Sequence, residues 1–378
     1  MISLARKSLI HEWRRFVPVG LSVGFSGILL IVQVALVLGI FGSAAIYINA
    51  SSADVWIGYP GTQSVNYGRL IGPDVKTHLR MDPEIAEVES YLWVDGDWYT
   101  PNADGGSVSV YLSGISTRPE AMMFSRLLPV ELREKLREPG AVIVDPADLA
   151  TLGSHVGGHA WINKQPVYIV GILKGLRGLG GINVLSSHES ALTIAGLQEG
   201  EGSTYYLARL KQPGQLSSVL ARFSQPDKRF GLYEMWSSND FASRSQLYWL
   251  LDTGAGVAVL FMAGLVCLVG AMITSQSLKT VITSYSREYA TLNALGASRF
   301  ALAKVVVEQS CWIGSIGLLF SAIVSALLLS IAKHYQVPVE ITPFAMLSCI
   351  FLVACMVLLS SLSAVREQLN IDPSLLLR

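Results

Sequence analysis

The feature that most constrains this chain is a set of four apolar segments, each long enough to cross a lipid bilayer as a helix. A bilayer core of about 30 Å needs about 20 apolar residues at 1.5 Å of rise per residue. Because backbone polar groups find no water in that core, such segments are expected to be helical throughout. We place the transmembrane helices at residues 17–48, 251–273, 305–331 and 341–364.

The chain begins with a short basic segment, residues 1–16, whose apolar side chains fall on one helical face. A basic start followed by an apolar run is also typical of a signal peptide, but the run at residues 17–48 is too long for one. We therefore predict that residues 1–16 form an amphipathic segment at the membrane surface.

The long middle of the chain, residues 49–250, contains no apolar segment of spanning length. Its alternating apolar runs, separated by turn residues, indicate an α+β domain, and about 200 residues are enough for a domain core. The predicted elements are strands at residues 108–112 and 161–173, a hairpin turn at residues 163–166, and short helices at residues 131–138 and 146–152.

A cluster of helix-capping residues, Ser237 to Asp240, precedes the second span. It predicts a helix that continues through Tyr248 and Trp249 into the apolar segment. Aromatic residues at this position are typical of a membrane interface.

The charges beside the spans predict their orientation. The connection at residues 274–304 is mainly basic, as is the segment at residues 1–16, whereas the short connection at residues 332–340 holds only Lys333 and Glu340. Short basic connections stay in the cytoplasm, so both ends, including the tail at residues 365–378, are predicted to be cytoplasmic. The predicted fold is α-helical and membrane-embedded, with four transmembrane helices and a large α+β extracytoplasmic domain inserted between the first and second helices.

The cytoplasmic connection is predicted to hold a short helix with a sharp stop. Tyr289, Leu292 and Leu295 recur at three-residue spacing and therefore share one helical face. Gly296 can adopt the left-handed conformation that ends a helix, and Ser298 can cap the next one. A short amphipathic helix between two spans could carry a push from a soluble partner into the bilayer, although an ordinary surface loop would also fit.

The same stretch resembles the cytoplasmic signature of the MacB/FtsX superfamily of ABC-transporter permeases, R-E-(I)-A-x-L-x-A-L-G-A-S. The tail that begins with Asp372-Pro373 is similar to the terminal D-P-x-x-A-L-R of that family, and the layout of the spans is also similar. Tyr289 replaces an aliphatic residue and no ATPase is fused to the chain, so it looks most like the DevC type. The resemblance implies a coupling helix that docks on an ATPase through Arg287, Glu288, Tyr289, Ala290, Leu292, Leu295, Gly296, Ala297 and Ser298.

Sequence motifs give no basis for catalysis by this chain. It contains no G-x-x-x-x-G-K-[ST] phosphate loop, and the Gly-rich segment at residues 175–181 lacks the required Lys. His155 and His159 are separated by two glycines with no other ligand nearby, so no metal site is predicted. All four cysteines lie in apolar segments, which indicates packing roles. We expect a non-catalytic subunit that has no cofactor of its own, because a partner would use ATP and Mg²⁺. The net charge of zero gives no reason to expect nucleic-acid binding.

Two features of the third span could assist transmission of motion. Lys304 and Glu308 are one turn apart and can pair, either as a simple snorkelling ion pair or as part of the transmission path. Gly314, Ser315 and Gly317 permit close helix approach, either between two subunits or within one.

The resemblance implies the permease subunit of an ABC exporter in a bacterial inner membrane, which works by mechanotransmission. Four helices are too few to enclose a solute pathway, so a homodimer, or a pair of closely related permeases, is expected, with one ATPase docked beneath each permease. Such systems also imply a periplasmic adaptor, a TolC-like outer-membrane channel, and membrane lipid, glycolipid, peptide or drug as cargo. Two alternatives stay open: an FtsX-like scaffold that regulates a cell-wall hydrolase, and a LolC/LolE-like permease that extracts lipoproteins.

Overall fold

The computed structural model describes residues 11, 13–101, 106–224, 230–284, 291, 298–335 and 337–369. The chain divides into two units: the membrane unit, Met1–Gly39 with Val257–Arg378, and the inserted unit, Ile40–Gly256. The helices are α1 (Trp13–Gly42), α2 (Ile46–Asn49), α3 (Pro73–Met81), α4 (Val130–Lys135), α5 (His188–Ala195), α6 (Leu216–Phe223), α7 (Ser238–Leu247), α8 (Gly254–Ser284), α9 (Arg299–His334) and α10 (Pro343–Leu369). The strands are β1 (Val55–Gly58), β2 (Ile85–Tyr99), β3 (Val108–Ile115), β4 (Ala141–Val144), β5 (His159–Ile162), β6 (Gln165–Ile172), β7 (Ile182–Ser187), β8 (Tyr205–Leu210) and β9 (Glu234–Ser237).

Four helical segments of the described chain are apolar and long enough to cross a membrane, which confirms the predicted number of apolar helices. They are Phe16–Asn49, Gly254–Ser277, Lys304–His334 and Pro343–Ser360. Within the membrane unit, Phe16, Val19 and Val23 of α1 form a buried apolar cluster with residues of α9 and α10.

The inserted unit is built on one sheet, in which the nine strands of the described chain have the order β3-β7-β4-β6-β5-β2-β8-β1-β9. Strand β2 has 15 residues and pairs with two groups of strands. Its first half pairs with β8, whereas its second half pairs with β3 and, at its end, with β5. Since β2 also pairs with β3 at the start of the order, six strands form a closed circuit of pairings. The domain is therefore α+β, as predicted.

The predicted hairpin is present between β5 and β6. Asn163 and Lys164 have φ values of 48° and 70°, and residues Ile162 and Gln165 on either side are paired. Two consecutive residues with positive φ make the type I′ turn that suits the twist of a two-residue hairpin. Asn163 stabilises this turn by donating from Nδ2 to the Asp95 carbonyl at 3.1 Å.

The prediction of a helix at residues 146–152 is wrong, because the structure has successive turns there. Asp145 holds the start of this segment against a distant loop. Its Oδ1 accepts the Ala147 amide at 3.0 Å, and its Oδ2 accepts the Gly175 amide at 2.8 Å. Contacts with a distant part of the chain override local helix propensity. The other predicted helix, at residues 131–138, corresponds to the shorter α4.

The continuous helix predicted from Ser237 into the second span is also wrong. Ser237 does cap α7, accepting the Asp240 amide at 3.0 Å. However, α7 passes into a π-helical turn, Tyr248–Asp252, and Thr253 then has an extended ψ of 142°. The Thr253 hydroxyl accepts the Gly256 amide at 3.1 Å, so it caps a new helix, α8. An added Cβ at Gly256 would collide with backbone carbonyls of the π-helical turn, so glycine is required there.

Candidate functional site: the coupling region and its supports

Most of the predicted coupling residues lie outside the described part of the chain, between α8 and α9. These residues are Arg287, Glu288, Tyr289, Ala290, Leu292, Leu295, Gly296 and Ala297. Ser298 is described: it is exposed, and it immediately precedes α9 at the position of a helix cap. The assignment of all nine residues to ATPase docking stays a prediction.

Lys304 and Glu308 lie on the first turns of α9. The Lys304 side chain is exposed and Glu308 is half-buried. Among the residues that the structure describes, no ion pair joins these two side chains. Their role as a transmission pair stays a prediction, and the simple ion pair is not formed in this conformation.

The glycines of the third span pack within the subunit. A Cβ added at Gly317 would lie 2.9 Å from the Val23 side chain and 3.0 Å from the Gly20 carbonyl oxygen of α1. At Gly314 it would lie 3.1 Å from Val357 of α10. All three distances are shorter than in ordinary packing, so these two glycines serve helix contacts inside one chain. Ser315, by contrast, is exposed and bonds to its own helix.

Hydrogen bonds also connect α1 with α8. Ser26 donates from its hydroxyl to the Gly270 carbonyl at 3.1 Å, and Thr274 donates to the Ser26 hydroxyl at 3.3 Å. Ser26 and Thr274 are both buried. A polar contact between helices in an apolar environment is worth about 0.6–1.7 kcal/mol. The helix that precedes the coupling stretch and the one that follows it are thus both packed on α1.

The segment that follows α1 is anchored in the core of the inserted unit. A 3-10 turn at Ser43–Ala45 connects α1 to α2, whose Tyr47 is fully buried with its ring centroid 4.8 Å from that of Trp93. On α7, the Phe241 ring stacks on Trp236 with centroids 4.7 Å apart. Tyr47 and Phe241 belong to the same buried cluster. The two segments of the inserted unit that adjoin membrane helices therefore share one core.

The Gly-rich segment at residues 175–181 is an irregular loop, and its first two amides are bonded to a carboxylate. Gly175 and Leu176 both donate to the Asp145 carboxylate, at 2.8 and 3.1 Å. These two amides are therefore not free to bind a phosphate. His155 and His159 are both exposed, and no group of three potential metal ligands exists among the described residues.

Sequence reasoning missed one cavity in the inserted unit, which has a volume of about 230 Å³. Segments far apart in the chain form its walls, so only the aromatic pair at Tyr248 and Trp249 gave any signal of it. The lining residues are Tyr59, Pro60, Gly61, Thr62, Gln63, Tyr67, Arg69 and Tyr248.

Residues 260–373 match the family model described as the FtsX-like permease C-terminal domain. No curated protein matches the chain.

Three solved structures are similar to about half of the chain. The periplasmic region of MacB from Actinobacillus actinomycetemcomitans is 15% identical, with a TM-score of 0.35 over 52% of this chain and 94% of that one. The extracellular domain of the noncanonic ABC-type transporter YknZ from Gram-positive bacteria is 15% identical, with a TM-score of 0.36 over 49% and 100%. A domain of a putative permease protein from Porphyromonas gingivalis is 11% identical, with a TM-score of 0.28 over 49% and 88%. At these TM-scores the similarity carries no weight beside the family match.

Proposed function

We propose that this chain, an ABC permease of the MacB/FtsX type by its C-terminal domain, couples ATP hydrolysis in a separate ATPase to movement of its inserted unit. The match bears out the resemblance to this superfamily, whereas the DevC type stays a prediction. The observation that carries the proposal is that the matched residues, 260–373, include the whole predicted coupling stretch. The ATPase would supply the catalysis and bind the nucleotide and Mg²⁺.

The packing of the membrane unit supports a mechanical role. The coupling stretch leads directly into α9, and α9 contacts α1 through Gly317 with no room for a side chain. Because packed interfaces of this kind are not compressible, displacement of α9 would be passed to α1. Beyond Gly42 the chain continues into the core of the inserted unit, where Tyr47 is fully buried. A push at the coupling stretch would then reach the inserted unit through α1.

The expected location is a bacterial inner membrane, with both termini in the cytoplasm and the inserted unit in the periplasm. The apolar helices support a membrane location. The basic residues of the connection before α9 support its cytoplasmic side.

The expected assembly is a homodimer of this chain with two ATPases, a periplasmic adaptor and a TolC-like channel, and the expected cargo is lipid, glycolipid, peptide or drug. Only 11% of the apolar segment of α8 is buried within the chain, so this helix offers a large apolar surface. A second copy and membrane lipid can both cover such a surface.

The proposal is tested by purifying the full chain together with a candidate ATPase subunit. We expect Arg287→Glu and Gly296→Pro to abolish complex formation, because the first reverses a docking charge and the second breaks the helix stop. The matched control is Arg137→Glu, an exposed charge reversal in the inserted unit. If both coupling variants form as much complex with the ATPase as Arg137→Glu does, ATPase docking at this stretch is refuted.

The FtsX-like regulatory role is the second candidate, because the matching family model is named for that group. It predicts that ATPase binding persists while no cargo moves. Reconstituting the chain with the ATPase and measuring efflux from vesicles, alongside activation of a candidate cell-wall hydrolase, separates the two roles. Lipoprotein extraction would instead require a second, related permease in the complex.

A further inference from the structure

The cavity in the inserted unit is formed where two distant segments meet. One segment follows β1 and contributes Tyr59, Gln63, Tyr67 and Arg69, and the other is the π-helical turn that contains Tyr248. The Tyr67 ring lies 5.5 Å from Tyr248 and is stacked 6.1 Å from Trp249, measured between centroids. Trp249 is held in turn by a hydrogen bond from Nε1 to Ser64 at 3.1 Å. The wall of the cavity is therefore fixed to the turn.

The cavity lies close to the start of a membrane span. Tyr248 precedes Gly254, the first residue of the candidate span Gly254–Ser277, by fewer than two helical turns, and both residues belong to the inserted unit. Even an extended chain would separate their Cα atoms by no more than about 20 Å. Tyrosine and tryptophan also favour the headgroup level of a bilayer. These observations put the cavity within reach of lipid headgroups.

The charge of the cavity favours an anion. Arg69 alone among the described lining residues is charged, and its guanidinium lies over the Tyr59 ring, 5.3 Å from the centroid. Within the described chain no carboxylate is within ion-pair distance of Arg69. Glu234 reaches the rim by accepting the Gly61 amide at 2.8 Å, but it forms an ion pair with Arg244 at 3.1 Å. With respect to the described residues, the planar donor set of the Arg69 guanidinium is therefore free, and such a donor set suits phosphate or carboxylate oxygens.

The size of the cavity favours a headgroup over a whole ligand. About 230 Å³ is below the 300–1,000 Å³ that drug-sized ligands occupy. Large apolar side chains on the same two segments are exposed: Tyr67 is 51% exposed, Leu70 is 45% and Leu251 is 53%. A ligand with a small acidic head in the cavity and an apolar remainder over these side chains would use both features.

We propose that this cavity binds the acidic headgroup of an anionic phospholipid from the leaflet that faces the inserted unit, with its phosphate on Arg69. The inference rests on the proposed function in one respect, which is that the segment beginning at Gly254 crosses a membrane. It assigns the inserted unit a lipid-recognition site beside its connection to α8.

The test uses the purified full chain in a neutral detergent and measures fluorescence polarisation of labelled phosphatidylglycerol. Labelled phosphatidylcholine is the neutral probe, and unlabelled inorganic phosphate is the competitor. Arg69→Gln removes the charge but keeps most of the side chain, and Gln63→Trp fills the cavity without changing its charge. Arg80→Gln, at an exposed arginine on α3, is the matched control. Circular dichroism confirms that each variant is folded.

We expect phosphatidylglycerol to bind about tenfold more weakly to Arg69→Gln, because a charge-assisted hydrogen bond is lost. Gln63→Trp should weaken binding as well, and Arg80→Gln should leave it unchanged. Equal losses in Arg69→Gln and Arg80→Gln, unchanged binding in Arg69→Gln, or equal binding of phosphatidylcholine would each overturn the proposal. If inorganic phosphate displaces the labelled lipid at concentrations equal to those of the lipid, the cavity is a simple anion site, and this result would overturn the proposal too. The lipid-binding assay contains no ATPase, so its result does not depend on whether an ATPase docks on this chain. Failure of lipid binding can therefore be told apart from failure of ATPase docking.

Discussion

At the scale of single residues, the inserted unit buries two ionisable side chains, Glu89 and Arg133, beside an irregular loop. Glu89 is 2% exposed and accepts the amides of Met122 and Met123. Arg133 is 1% exposed and donates to the carbonyls of Ser116 and Met123 at 2.8 and 2.6 Å. Phe124, which directly follows Met123, has a φ of 56°, which is uncommon for a residue with a side chain. The two charged side chains thus hold the loop at Phe124 in place.

Replacing Glu89 should distinguish its hydrogen bonds from its charge. Glu89→Ala leaves two buried amides without an acceptor, at about 1–3 kcal/mol each, whereas Glu89→Gln keeps an oxygen acceptor for them. We expect Glu89→Ala to lower the apparent Tm by about 5 °C or more and to be clearly less stable than Glu89→Gln. Thermal unfolding of the detergent-solubilised chain, followed by near-ultraviolet circular dichroism, measures this. Equal Tm values for the two variants would show that the amides do not depend on residue 89.

The charge of Glu89 should appear in the pH dependence of stability. Burial raises the pKa of Glu89, and this outweighs the opposing hydrogen bonds from Met122 and Met123 and the attraction of Arg133. The folded state therefore binds this proton more tightly than the unfolded state does, so its stabilising effect is present at low pH and lost as pH rises through the raised pKa. We expect the Tm of the natural chain, measured relative to Glu89→Gln, to fall as pH rises above about 4.5. A difference that stays constant from pH 4 to pH 8 would contradict the raised pKa.

At the scale of elements, glycines set the separation of the membrane helices. Gly317 of α9 has no room for a Cβ against Val23 and Gly20, whereas Gly264 of α8 has no atom within 4 Å of that position. Alanine favours a helix over glycine by about 1 kcal/mol when space permits. The two glycines therefore offer opposite predictions for the same substitution.

We expect Gly317→Ala to destabilise the chain by about 1–3 kcal/mol, because α9 must move away from α1. Gly264→Ala should be neutral or slightly stabilising. Apparent Tm values of the two variants in the same detergent test this. If both variants shift the Tm in the same direction by the same amount, the close contact between α1 and α9 is not the determining factor.

At the scale of the whole molecule, the proposed coupling requires the inserted unit and the connection before α9 to lie on opposite sides of the membrane. Gln63 and Thr283 are both exposed and lie in these two regions. With the four natural cysteines replaced by alanine, an impermeant maleimide should label Gln63→Cys in intact spheroplasts. It should label Thr283→Cys only after permeabilisation. Labelling of both positions in intact spheroplasts would contradict the orientation and, with it, the route from an ATPase to α1.

The sequence alone determined the features that depend on neighbouring residues. Apolar length fixed the four spanning helices, and turn residues fixed the hairpin at Asn163 and Lys164, because hydrophobicity and backbone conformation act locally. The same local reasoning failed at residues 146–152 and at Thr253. There the hydrogen bonds of Asp145 to a distant loop, and the close backbone approach at Gly256, override helix propensity. The docking residues could be named from their resemblance to the cytoplasmic signature of the family, and their assignment stays a prediction.

Only the tertiary structure decided which distant segments meet. Strand β2 has 15 residues and divides its pairing between two groups of strands that are distant in the chain. From its sequence, Gly317 could serve a contact between subunits or within one, and the structure places α1 against it. The cavity walls at Tyr59 and Tyr248 are far apart in the chain and meet only through the packing of Tyr67 on the π-helical turn. Burial and pairing of this kind are long-range, since their free energy depends on the whole arrangement of the chain and not on any local pattern.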